Sequence, residues 1–444
     1  MTIELEGTRP AVTSAARVHA TLSAHLLADG FDLVLDLRRS RGCRLIDERD
    51  GSSYLDMFGF FASSALGMNH PALADDQEFR AELADVALNK PSNSDIYTVE
   101  FARFVDTFAR VLGDPRLPHL FFIDGGALAV ENALKIAFDW KSRHNESHGR
   151  PAELATSVLH LTGAFHGRSG YTMSLTNTDP NKIARFPRFD WPRIETPYLT
   201  EAFDIDEAEA RALEQARRAF DEKPHHIVCF IAEPIQGEGG DRHLRPEFLR
   251  AMQRLCHEND ALFILDEVQT GVGMTGSTWA YQQLGLEPDV VAFGKRTQVC
   301  GVMAGGRVDE VPDNVFVVGS RLNSTWGGNL TDMVRTRRIL EVLEADDLIA
   351  GSRPLGAHLL ERLTELAARH PSVSEPRGRG LMCAITISSS ALREEVLTTM
   401  LEREHVLIVG SGERGIRFRP PLIVSETELN ATVDALDRVL SDLE

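Results

Sequence analysis

Short apolar runs recur along the chain, each about the length of one strand, and each is followed by a longer stretch with helical periodicity. The runs His119 to Ile123, Ser157 to Leu161, Ile227 to Glu233, Ala261 to Asp266 and Val290 to Phe293 read as strands buried on both faces. Between them, Ala129 to Arg143, Asp206 to Phe220 and Pro246 to His257 read as helices, the last with proline in its first turn. Strand and helix alternating in this way predict an α/β fold built on a mainly parallel sheet with helices on both faces. No fixed-period repeat or long Gly/Ser linker interrupts the pattern, so domains built from interleaved segments are expected.

After about residue 331 the texture changes. Helices are expected at Asp332 to Leu343 and Leu355 to Arg369, then an alternating strand Leu381 to Ile387 and a shorter one near Val406 to Val409. The last helix opens on Ser425-Glu426-Thr427-Glu428, a capping box, with Leu429, Val433, Leu436 and Leu440 on one face. Three regions result: residues 1–65, with strand candidates at Leu33 to Leu37 and Tyr54 to Met57; a large domain, 66–330; and a smaller α+β domain, 331–444. The first region has too little apolar surface to fold alone and is expected to pack with the third.

Lys and Arg total 47 against 66 Asp and Glu, a net charge of −19, which repels phosphate backbones and anionic lipid. Nucleic-acid and membrane partners are therefore not expected. Met1 to Ala20 carries Glu4 and Glu6 without a continuous apolar segment, unlike a secretory signal, and nothing approaches the ~18 apolar residues of a spanning helix. Five scattered cysteines without a CxxC pair suit buried thiols in a reducing cytoplasm and no disulfide framework.

Two residues at strand ends carry the chemistry. Asp266 ends the run Ala261 to Leu265, and ligands of parallel sheets bind at the carboxyl ends of strands. Lys295 follows Val290 to Phe293 and Gly294, and a lysine in a partly desolvated pocket becomes a nucleophile able to form a Schiff base. Asp266 alone reads equally as a solvated loop acid or helix cap, and Lys295 alone reads better as a solvated surface lysine. Together they match the needs of a pyridoxal phosphate site, where a carboxylate keeps the pyridine nitrogen protonated and a lysine anchors the aldehyde.

Competing motifs are weaker. Gly271-Val272-Gly273-Met274-Thr275-Gly276 satisfies GxGxxG, but Asp266 to Thr270 separate it from the strand, whereas a dinucleotide fingerprint needs its first glycine at the turn; a flexible loop is expected instead. His144 and His148 have a metal-compatible spacing but no third ligand nearby, so a solvated helix end and no metal site are expected. A dinucleotide-dependent oxidoreductase and a catalytically silent binding module remain the rival readings.

Several stretches resemble the class III, or ω-amino acid, aminotransferases of pyridoxal phosphate fold type I. They are Ala232 to Gly240 (AEPIQGEGG), Asp266 to Gly271 (DEVQTG), Phe293-Gly294-Lys295, Gly163 to Arg168 (GAFHGR) and Ser324 to Asn329 (STWGGN). With weaker matches the likeness runs from about residue 54 to about residue 422. Gly125 to Asn132, Asn89 to Asp95 and Asn323 make it most similar to the lysine 6-aminotransferase branch; the nearest rival branch acts on 4-aminobutyrate.

The resemblance implies a role for each position. Lys295 anchors the cofactor and moves the proton, Asp266 pairs with the ring nitrogen, Val268 and Phe165 cover the ring faces, and Gln269 reaches the ring hydroxyl. His166 is positional. Gly125, Gly126 and Ala127 hold the phosphate on backbone N–H groups at a helix start, although the Ser and Thr hydroxyls common at this turn are absent. Thr325 adds one hydroxyl from a partner subunit, implying a homodimer. Arg168 and Arg417 bind carboxylates, Glu238 neutralises Arg417 while the amine donor is bound, and Asn323 contacts substrate. The implied reaction moves the ε-amino group of L-lysine to 2-oxoglutarate.

Overall fold

The computed structural model describes residues 14–444; residues 1–13, which carry part of the N-terminal expectations, lie outside it. A seven-stranded sheet forms the centre: β1 (His119–Ile123), β2 (Ser157–Leu161), β3 (Arg193–Ile194), β4 (Ile227–Ala232), β5 (Leu262–Asp266), β6 (Val290–Phe293) and β7 (Cys300–Ala304). Their spatial order is β1-β7-β6-β5-β4-β2-β3. From β6 to β3 all neighbours are parallel, while β7 runs antiparallel to both β6 and β1. The five expected strands all form, with ends shifted by at most one residue.

Sequence patterning missed β7. Cys300-Gly301-Val302-Met303-Ala304 follows the short turn Lys295–Thr297 and contains a glycine, which weakens any strand signal. The glycine has a packing reason: a Cβ at Gly301 would lie 2.2 Å from the Phe121 carbonyl oxygen and 2.7 Å from the Phe293 ring.

Both faces of the sheet are covered, as continuous apolar strands require. Helix Gly126–Ser147 buries Val130, Leu134, Ile136 and Trp140 on one side with Val228, Ile231 and Ile264. Helix Pro246–Glu258 buries Phe248, Leu249 and Met252 on the other, with Phe230, Phe263 and Leu265.

The C-terminal region holds a four-stranded antiparallel sheet of Val373–Arg379, Met382–Ile387, Gly415–Phe418 and Val409–Ser411, flanked by helices Leu348–Arg369, Ser390–Glu402 and Glu426–Leu443. The Ser425 capping box forms as the sequence implies. Two expectations are corrected. The helix expected from Leu355 begins at Leu348, with Pro354 accommodated inside it in the second turn. The single strand expected over Val406 to Val409 divides: Val406–Leu407 pairs in parallel with Ser53–Asp56, and Val409–Ser411 joins the four-stranded sheet.

That division stitches the N-terminal segment to the C-terminal one. Arg44–Ile46, Ser53–Asp56 and Val406–Leu407 form a three-stranded sheet. Leu33 to Leu37 is not a strand; one bridge, Leu35 to Asp47, is all it contributes to a sheet. Among the described residues all five cysteines are free and buried, and no helix is long and apolar enough to cross a membrane.

Candidate active site

The carboxyl ends of β1, β2, β4, β5 and β6 converge on one cavity of about 560 Å³. Ten residues expected from the sequence line it: Gly125, Gly126, Ala127, Phe165, His166, Arg168, Asp266, Val268, Gln269 and Lys295. Four do not: Glu238 and Arg417 form a neighbouring ion pair, and Asn323 and Thr325 lie exposed on a separate loop of the same chain.

Lys295 emerges just beyond β6 with a left-handed backbone, φ +54°, a conformation that costs a side-chain-bearing residue about 1–2 kcal/mol. Gly294 before it touches Cys300 and Val268 closely, since a Cβ there would meet the Cys300 sulfur at 2.8 Å. The amine makes no hydrogen bond within the described residues. Burial, then the positive charges of Arg417 and Arg419, pull its pKa down to about 7, against the opposing pull of Asp266 and Glu233.

Asp266 ends β5 and is buried. Its Oδ1 accepts from the Val268 N–H at 3.1 Å, and its Oδ2 is 2.8 Å from His166 Nδ1. Burial disfavours a charged His166 ring, but the hydrogen bond to Asp266 and its charge outweigh that and raise the histidine pKa. The carboxylate is thus oriented on two sides. Glu233, at the end of β4, accepts from the Phe165 N–H at 3.0 Å and the Gly237 N–H at 3.2 Å; burial lifts its pKa to about 7. It fixes the loop that carries Phe165. The sequence assigns no role to Glu233 within AEPIQGEGG, although its place at a strand end is the available signal.

The helix expected from Ala129 begins at Gly126, so its unpaired N–H groups open at the cavity wall. Gly125 has φ +99° and no side-chain cap, and a Cβ on Gly126 would approach Val268 Cγ1 to 3.1 Å. An anion can therefore come close to the backbone here. Phe165 and Val268 supply flat apolar walls. Gln269 Oε1 accepts from Arg419 Nε at 2.9 Å, which leaves the amide NH2 to donate elsewhere. Arg419, fully buried and paired with Asp241, was not singled out from the sequence. A planar, anionic group carrying an aldehyde fits this set: an unpaired amine, a carboxylate for a ring nitrogen, two apolar walls and a helix start for a phosphate.

Glu238 stands at the tip of the hairpin joining Ile235–Gln236 to Arg242–His243, 2.8 Å from Arg417 and in contact with Lys182. Burial would raise its pKa, but Arg417 and Lys182 outweigh that and hold it at about 2, so the carboxylate stays charged. Arg168 has no ion-pair partner among the described residues, and its guanidinium lies 6.0 Å from the Phe165 ring.

Two other expectations change. The loop Gly271 to Gly276 is buried rather than flexible, with Gly271 against Trp279; no helix begins there, which removes the dinucleotide geometry. His144 is buried, stacked 4.8 Å from Trp140 and 4.2 Å from His148, and burial lowers its pKa to about 4. The last turn, Glu146 to His148, is exposed as expected, so of the two histidines only His144 departs from a solvated position, and among the described residues no group of three or more metal-ligating side chains is found.

The model of the family described as Aminotransferase class-III matches residues 28–440. The chain belongs to the class III aminotransferases. An L-lysine-epsilon aminotransferase of Mycobacterium tuberculosis is 63% identical over 432 residues, 96% of each chain. A probable mitochondrial 4-aminobutyrate aminotransferase of Caenorhabditis elegans is 31% identical over 441 residues, covering 92% of this chain and 88% of that one. Among solved structures, lysine aminotransferase from M. tuberculosis in the internal aldimine form superposes with a TM-score of 0.96 at 62% identity, covering 97% of this class III chain and all of that one. Pyridoxal phosphate is the cofactor of this family, and the residues lining the cavity fit it.

Proposed function

We propose that this aminotransferase moves the ε-amino group of L-lysine to 2-oxoglutarate, forming L-glutamate and 2-aminoadipate 6-semialdehyde, which cyclises to a piperideine carboxylate. The observation that carries the reading is the pairing of Glu238 with Arg417 while Arg168 is free of any ion pair. In that state the pocket offers one open guanidinium, matching the single carboxylate of lysine. With Glu238 moved aside, two guanidinium groups match the two carboxylates of 2-oxoglutarate. The 63% identity to an L-lysine-epsilon aminotransferase over nearly the whole chain supports the same donor.

When bound, pyridoxal phosphate supplies an aldehyde and an electron-withdrawing ring that stabilises negative charge on the carbon bearing the nitrogen. Lys295 would anchor it and, with a pKa near 7, would hold enough neutral amine at neutral pH to accept and return a proton at its Nζ. Asp266, oriented by His166 and the Val268 N–H, would place its carboxylate against the ring nitrogen. Phe165 and Val268 would cover the two faces of the ring and keep water from them, and the amide NH2 of Gln269 would be free to donate to the ring hydroxyl. Gly125, Gly126 and Ala127 present N–H groups to the phosphate.

The assembly we infer is a homodimer in which Thr325 reaches the partner's phosphate and Asn323 contacts substrate there. Exposed Ile96, Tyr97, Leu128, Val317 and Trp326 support an apolar interface; Lys90 contacts both Trp326 and Asp124, tying these loops to the phosphate turn. We divide the chain into an N-terminal segment (1–65), a cofactor domain (66–330) and a small domain (331–444), and assign it to the cytoplasm. Donor competition tests the function: lysine should turn over at least tenfold faster than 4-aminobutyrate, and the reverse order would reject the assignment.

A further inference from the structure

Lys182 closes the turn Pro180–Lys182, whose Asp179 cap accepts from the Asn181 N–H at 2.9 Å. Its amine contacts Glu238 Oε1, while Arg417 holds Oε2 of the same carboxylate at 2.8 Å. The two cations therefore bind opposite oxygens of one side chain. Lys182 also lies 5.4 Å from the Phe165 ring, over which Arg168 stands at 6.0 Å, so it belongs to the mouth of the same pocket. Arg417 is 3% exposed and Lys182 is 19% exposed, so Arg417 is the inner anchor and Lys182 the outer one.

Opening Arg417 to a second substrate carboxylate requires Glu238 to leave it. A displaced, part-buried carboxylate without a partner would oppose that movement. Lys182 already holds one oxygen, so rotation of Glu238 about that contact frees Arg417 without leaving a charge unpaired. We propose that Lys182 is the receiver of the Glu238 switch, a positioning residue that makes the pocket accept dicarboxylates. This rests on the Glu238 and Arg417 reading above and adds the residue that makes the displaced state accessible.

The test uses holoenzyme and two unreactive five-carbon acids, glutarate with two carboxylates and valerate with one. Lys182→Met should weaken glutarate inhibition about tenfold relative to valerate, in line with removing one partner of a charge pair that is partly screened by solvent. In single-turnover reactions the 2-oxoglutarate half should slow more than the lysine half, and Lys182→Arg should restore most of the glutarate preference, which a merely structural role would not predict. An unchanged glutarate-to-valerate ratio in Lys182→Met overturns the inference, as does a loss confined to the lysine half. Glu238→Gln separates the two levels: if it shifts the ratio and Lys182→Met does not, only the role of Lys182 falls. If neither does, the Glu238 and Arg417 reading falls with it.

Discussion

At Lys295 a strained backbone, a tight glycine and a cationic neighbourhood meet in one residue. The chain has six lysines, at 90, 135, 141, 182, 223 and 295, so borohydride reduction of the holoenzyme followed by peptide mapping is a clean assay. The tag should fall on Lys295, and Lys295→Ala should lower turnover by at least ~10³-fold with the fold retained. The depressed pKa also has a consequence for the apoenzyme. Between about 7 and the ordinary 10.5 the unfolded chain binds a proton that the folded chain does not, so this group contributes stability as pH rises through that window. Urea unfolding of the apoenzyme should therefore show wild type gaining on Lys295→Met between pH 7 and pH 10; a constant difference would contradict the shift. Asp266→Asn should keep the shape yet cut turnover by about 10²-fold or more, measured at saturating cofactor.

The sheet delivers these residues to one place because each follows the carboxyl end of a strand. That placement was legible: an apolar run ending in Asp266 and another ending before Gly294-Lys295 carry their own signal. The helix start at Gly126 was legible only to within one turn, since Gly125-Gly126-Ala127 has no capping side chain to mark it. The buried loop from Gly271 was misjudged because glycines signal freedom locally, whereas Trp279 and the helix beginning at Leu348 pack around them. Gly294 offers the test at this scale. Gly294→Ala would press a methyl group against the Cys300 sulfur and Val268, and we expect roughly tenfold weaker cofactor binding in a fluorescence titration together with a lowered unfolding temperature.

In the whole molecule, the loop bearing Asn323 and Thr325 lies outside the cavity lined by Lys295 and Asp266. If Thr325 acts across the dimer, hybrids of Lys295→Ala and Thr325→Ala chains contain one site with both lesions and one with neither. Mixing the inactive Lys295→Ala chain with Thr325→Ala should then raise activity above that of either homodimer; with Thr325 acting within its own chain, no site would be intact and no gain would appear. Sedimentation of the wild type should give a dimer.

The sequence by itself determined the alternation of strand and helix, the two strand-end residues that mark the chemistry, the Ser425 cap and the family resemblance, because each is written in neighbouring residues. Only the tertiary structure decided which polar groups meet. Lys182 reaches Glu238 across 56 positions, His166 reaches Asp266 across 100, and Arg417 reaches Glu238 across 179. A lone charged residue has no periodicity, and its partner is fixed by how the strands stack and the loops close. The antiparallel β7 and the buried His144 follow the same rule: local composition is weak there, and packing against distant elements sets the outcome.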